Sequence, residues 1–238
     1  MNRRQALAGL SSAVLLSGCA RRGTPSRSPA PSRPPSAEVT AADFAWFERS
    51  EPRLAQCFTL TWLAGLVPER VVRRIDGRPV GYYGWADLPA APDDGVIVAV
   101  TQAAGWALMV ETYTRYGVAD AVAELSKDTR LVADFRNVEL DGRFLLAENG
   151  RTLVEFDPYT AYARTGARPD LLVDQMTAVG LKVTGPDLSV PSPPEIPETE
   201  AAFALTERLV TVPFTEDLLS SSKYLAAVVP DPYTSRPS

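Results

Sequence analysis

Two thiols, one Ser-x-x-Lys spacing, a scatter of carboxylates and one aromatic tetrapeptide are the groups in this 238-residue chain able to do chemistry or hold a ligand. Histidine is absent. That excludes Ser-His-Asp and Cys-His catalysis, a His general base and His-ligated zinc. Cys19 and Cys57 are too few to hold an iron–sulfur cluster within one chain. No stretch has the spacing of an EF-hand calcium loop. No cofactor is expected. Ser220-Ser221-Ser222-Lys223 places a lysine three residues after a serine, where on a helix the amine can activate the hydroxyl. The companion motifs Ser-Asp-Asn and Lys-Thr-Gly are missing, so the plain reading is a polar helix end. Glu111, Glu139, Asp141, Glu148, Glu155 and Asp157 could supply a carboxylate pair for glycosidic chemistry. Spacing singles out no pair, and solvated surface acids are the default.

Tyr82-Tyr83-Gly84-Trp85 is the sharper signal for binding. Aromatics in a loop bounded by Gly and Pro can stack on a sugar or fill a partner's pocket. The competing reading is a loop that folds Tyr82, Tyr83 and Trp85 down onto a sheet as core.

Cys19 is chemically distinct from Cys57. It closes Leu16-Ser17-Gly18-Cys19, after Arg3-Arg4 and an apolar run over residues 6–16. Positive start, short apolar core and small residues before the cleavage point are the three parts of a secretory signal, in order. The apolar run is well short of the ~20 residues that span a bilayer. The arrangement resembles the signal peptide and lipobox of a bacterial lipoprotein. The resemblance implies removal of residues 1–18 and at least two acyl chains on Cys19, enough for stable attachment. Asn2-Arg3-Arg4-Gln5-Ala6-Leu7 also resembles a twin-arginine export motif, departing from it at Asn2 and Ala6. Both that route and the general one remain open. The expected location is the extracytoplasmic face of the cell membrane, with the bilayer as a partner through Cys19.

Cleavage would remove two of 24 cations and none of 29 acids, leaving a net charge of −7. That argues against a nucleic-acid partner. Cys57 lies in an apolar stretch and reads as a buried structural thiol. Residues 19–39 form a linker rich in Pro, Ser and Arg, with Arg21, Arg22, Arg27 and Arg33 suited to anionic headgroups. At ~3.1 Å per residue in polyproline II form it reaches on the order of 60 Å.

A single α+β domain is expected over residues 40–230, followed by a flexible tail at 231–238. Thr40 and Asp43 have the spacing of a helix start. Strands are expected at 57–63, 96–100, 106–111, 131–135, 143–147 and 151–156. Ala103-Ala104-Gly105 and Glu148-Asn149-Gly150 are turns. Helices are expected at 68–75, 118–126, 169–179, 199–210 and 215–219, with residues 77–94 irregular and 186–197 a Pro-rich loop. The result is a mostly antiparallel sheet of about six strands with helices packed on one face.

The folded region also resembles an uncharacterised family of actinobacterial domains. The resemblance rests on Gly65-Leu66-Val67-Pro68-Glu69, Gly105-Trp106-Ala107-Leu108-Met109-Val110-Glu111 and Phe135-Arg136-Asn137-Val138. The Glu148-Asn149-Gly150 hairpin, residues 202–209 and Ala227-Val228-Val229-Pro230 complete it. It implies a single domain and no particular activity. The functional expectation is a tethered, non-enzymatic binding or interaction module of the cell envelope, with a protein or glycan partner. The alternative is a carboxylate-dependent cell-wall hydrolase.

Overall fold

The computed structural model describes residues 39–52, 54–93, 95–119, 121–185 and 197–230. Arg3, Arg4, Cys19, the linker, residues 186–196 of the Pro-rich loop and the tail at 231–238 lie outside the described residues.

Eight strands form one sheet: β1 (Phe58–Ala64), β2 (Arg78–Gly84), β3 (Gly95–Ala103), β4 (Trp106–Thr112), β5 (Arg130–Arg136), β6 (Gly142–Glu148), β7 (Arg151–Phe156) and β8 (Lys223–Pro230). Their spatial order is β2-β8-β3-β4-β1-β5-β6-β7. Each neighbouring pair is antiparallel. The class is therefore α+β, with eight strands rather than six. The two additional strands are β2 and β8, and they pair with each other. Pro79, Gly81 and Gly84 make β2 read as irregular. An edge strand tolerates a proline, and a bulge between Pro79 and Gly81 absorbs the register shift.

Six short helices accompany the sheet among the described residues: α1 (Phe47–Ser50), α2 (Pro68–Arg74), α3 (Val122–Leu125), α4 (Val173–Ala178), α5 (Glu198–Val210) and α6 (Glu216–Ser221). They cover both faces, not one. Phe58, Leu60 and Trp62 of β1 join Phe44, Phe47, Phe203 and Phe214 on one side. Leu63, next along the same strand, joins Val71 and Val72 of α2 and Val122 and Leu125 of α3 on the other. Strands buried on both sides are near-continuous apolar runs, which is how Val98-Ala99-Val100 and Ala107-Leu108-Met109-Val110 read.

Local chemistry sets the turns and helix starts. Asn149 (φ 51°) and Gly150 (φ 78°) take the left-handed conformation that closes the β6–β7 hairpin. Thr40 N–H donates to Asp43 Oδ2 at 2.9 Å, a helix-start contact expected from their spacing. Pro68 opens α2 at a position where its missing N–H costs nothing. Arg208 of α5 donates to the carbonyl of Val39 through Nε and Nη2, fastening the first described residue to the longest helix among the described residues.

Candidate ligand-binding groove

The strand geometry of β2 divides the aromatic tetrapeptide. Tyr82 is opposite Leu225 and Tyr83 is opposite Tyr224. Successive strand residues point to opposite faces, so Tyr82 and Tyr83 lie on different sides of the sheet. Tyr82 is 53 % exposed and donates its hydroxyl to Glu69 of α2 at 2.5 Å. That contact holds the Glu69 carboxyl below the usual range and raises the Tyr82 phenol. Trp85 follows the end of β2 and packs on the opposite face, its ring 5.4 Å from that of buried Tyr224. Its indole Nε1–H donates to Glu51 Oε2 at 3.0 Å. The three aromatics therefore do not form one shared surface.

Trp85 instead walls a groove of about 550 Å³. The segment Leu88-Pro89-Ala90-Ala91 continues that wall, Ile97, Ala99 and Val110 line the strands beneath, and Thr112, Tyr113 and Thr114 close the far side. The volume is in the range of small-molecule sites, and the lining side chains are mostly apolar, although close to half of the lining surface is polar. None of the lining residues is Asp, Glu, Lys or Arg.

Tyr113 is the least ordinary residue of the lining. It has φ 59° and is 54 % exposed. A bulky side chain at positive φ is strained, and such strain persists only when the surroundings fix it. Here the fixing group is Glu111, two residues earlier on β4 and fully buried. Its carboxylate accepts from Thr114 Oγ1 at 2.7 Å, from Tyr116 N–H at 2.8 Å and from Gly117 N–H at 2.9 Å. Three donors thus tie the loop after Tyr113 back to the strand before it. Burial raises the Glu111 carboxyl, and the three hydrogen bonds oppose that rise. Gly117 is required by close approach, since a Cβ there would meet Thr61 Oγ1 at 1.7 Å. Tyr113 itself is held by its N–H to the Cys57 carbonyl and its hydroxyl to Gln56 Oε1 at 2.9 Å. Positive φ at a tyrosine leaves no mark on sequence, so Tyr113 was not among the expected site residues, while Glu111 was expected only as one of six carboxylates and not as a loop tether.

The remaining reactive groups sit elsewhere. Cys57 is buried and unpaired, its thiol pushed up by burial. Ser220 lies on α6 and Lys223 opens β8, so the Ser-x-x-Lys spacing does not fall on one helix. Glu148 pairs with Arg130 and Glu155 with Arg143. Asp134, fully buried on β5, accepts from Thr206 of α5 at 2.7 Å, and burial pushes its carboxyl up to about 7. Arg136, two residues on, donates to Glu48, Thr199 and the Ala55 carbonyl, joining β5 to α1 and α5. These contacts hold helices to the sheet. Among the described residues no cluster of three or more Cys, Asp or Glu could hold a metal ion. Among them, too, no helix is long and apolar enough to cross a membrane.

Fold and groove together define an α+β domain built on an eight-stranded antiparallel sheet, with a groove between Trp85 and Tyr113 on one face. The chain belongs to a family of unknown function, DUF6461, whose model matches residues 37–233. No curated protein and no solved structure matches it.

Proposed function

We propose that this chain is an extracytoplasmic lipoprotein, anchored to the membrane by lipidated Cys19, whose domain captures an apolar ligand in the Trp85–Tyr113 groove without transforming it. The observation that carries the reading is Tyr113. The fold holds an aromatic residue in a strained conformation at the groove's edge through the buried Glu111 tether, and such strain clusters at ligand-binding positions. The signal anatomy of residues 1–19 supports the location, and the Pro- and Arg-rich linker supports a tether reaching from the bilayer. The lining favours capture over carboxylate hydrolysis, because no lining residue is Asp or Glu. An envelope protein or glycan that presents an apolar group remains the expected partner.

The test is native mass spectrometry of the full chain against panels of neutral amphiphiles, oligosaccharides and apolar peptides. A91W, which narrows the groove from its exposed wall, serves as the comparison. Adducts lost in A91W support the reading. Adducts unaffected by it, or ligand returned chemically altered, refute it.

A further inference from the structure

We propose that a second cavity, on the face of the sheet that carries α2, binds a small zwitterion, with an ammonium and a carboxylate on one short chain as in a free amino acid. This site is independent of the Trp85–Tyr113 groove. Two motifs far apart in sequence meet there, Tyr82 of the aromatic tetrapeptide and Lys223 of the Ser-x-x-Lys run. Both line a cavity of about 520 Å³, together with Val67, Glu69 and Gln102. Strand register brings them together. Leu225 of β8 stands between Tyr82 of β2 and Val100 of β3, and it shares a core cluster with Val71 and Val72 of α2. Lys223 lies two residues before Leu225, and Gln102 lies two residues after Val100. In antiparallel strands those two positions come level and point to the same face as the rung they flank. Three adjacent strands thus set Tyr82, Lys223 and Gln102 on one side. Glu69 of α2 joins them by accepting the Tyr82 hydroxyl.

The charges in the cavity decide the ligand. Glu69 and Lys223 are of opposite sign, and both are exposed. Among the described residues no ion pair joins them, and no hydrogen bond or ion pair engages the Lys223 ammonium. A lone anion would gain Lys223 but meet Glu69, and a lone cation would do the reverse. A zwitterion answers both charges at once. Its ammonium can sit against the Glu69 carboxylate and the half-exposed ring of Tyr82, because the face of an aromatic ring attracts a cation. Glu69 keeps room for it after taking the Tyr82 proton, since an ionised carboxylate has about four acceptor sites. The ligand carboxylate can accept from the Lys223 ammonium and the Gln102 amide. A neutral saccharide would use the hydrogen bonds of the cavity but neither of its charges.

The experiment is isothermal calorimetry of the full chain at low salt with L-alanine, β-alanine, γ-aminobutyrate and ε-aminocaproate, zwitterions whose two charges stand progressively further apart. Butylamine, butyrate and maltose supply the cationic, anionic and neutral comparisons. At least one zwitterion is expected to bind about tenfold more tightly than any of the three. Glu69→Gln and Lys223→Gln should each weaken that binding about tenfold. Both residues are exposed, so unchanged thermal unfolding in the two variants marks the effect as loss of a charge. Added salt should weaken the binding as well, because both charges are open to screening. A91W alters the opposite face of the sheet and should leave it unchanged. Zwitterion binding that is absent, no tighter than the comparisons, unchanged in E69Q or in K223Q, or lost in A91W overturns the assignment.

Discussion

The Glu111 carboxylate accepts the backbone N–H of Gly117 at 2.9 Å, closing a loop whose first residue after β4 is the strained Tyr113. A carboxylate buried for this purpose is costly to remove. Glu111→Ala leaves two backbone N–H groups and the Thr114 hydroxyl without their acceptor. We predict a loss of ~3 kcal/mol in urea unfolding, the scale expected for unsatisfied buried donors. Unfolding unchanged in E111A would mean the loop is held by other contacts.

Gly117→Ala tests the same loop by volume. The added Cβ collides with Thr61 Oγ1, and overpacking of this kind costs about 1–3 kcal/mol. Thr61→Ala removes the colliding oxygen, which has no hydrogen-bond partner among the described residues. The double variant G117A/T61A should therefore recover part of the stability lost in G117A. Additive losses in the double-mutant cycle would contradict the packing argument.

Asp134 makes stability depend on pH in a definite direction. Its folded carboxyl is raised from 3.8 to about 7, mainly by burial, so the folded state holds a proton that the unfolded state releases. Stability contributed by the neutral form is present at acid pH and is lost as pH rises from about 4 to about 7. The upper bound on that loss is roughly 4 kcal/mol. Glu111 is raised in the same sense by burial. D134N should flatten the Asp134 share, so its stability relative to the natural sequence rises between pH 5 and pH 8. Parallel pH profiles in chemical denaturation would refute this.

Trp85 and Tyr82 should separate in binding. Trp85→Ala removes a groove wall and is expected to weaken capture of an apolar ligand about tenfold or more. Tyr82→Ala alters the other face of the sheet and should leave affinity unchanged, although it releases Glu69. Equal losses in the two variants, by isothermal calorimetry, would place the ligand elsewhere.

Much of this architecture is legible in the residues. Alternation in Phe58-Thr59-Leu60-Thr61-Trp62 marks β1, Asn149-Gly150 marks a hairpin, and Pro68 marks the start of α2. Two features escape for physical reasons. Pro and Gly disguise β2 because edge strands obey weaker rules than central ones. Helices on both faces are written in the unbroken apolar runs of β3 and β4, a signal easily mistaken for simple burial. Of the groove, Trp85 stands out by type, while Tyr113 owes its place to a backbone conformation and to a carboxylate acting from two residues away. Neither has a composition signature.

The proposed anchor makes an independent prediction. Cys19→Ala removes the thiol that the lipobox resemblance assigns to acylation, so the protein should leave the membrane fraction and appear in soluble extracts. Retention of C19A at the natural level, after a carbonate wash, would contradict lipid anchoring.

The claim that the Trp85–Tyr113 groove is the ligand site has a direct reporter. The chain has three isoleucines, Ile75, Ile97 and Ile196. Ile97 lines the groove, while Ile75 is buried on the opposite face of the sheet. With isoleucine δ1-methyl labelling, the full chain is titrated with decyl maltoside below its micelle concentration and followed by NMR. A saturating shift of the Ile97 signal, with Ile75 unmoved and the effect lost in A91W, is the predicted result. An Ile97 signal that stays in place throughout the titration would contradict it.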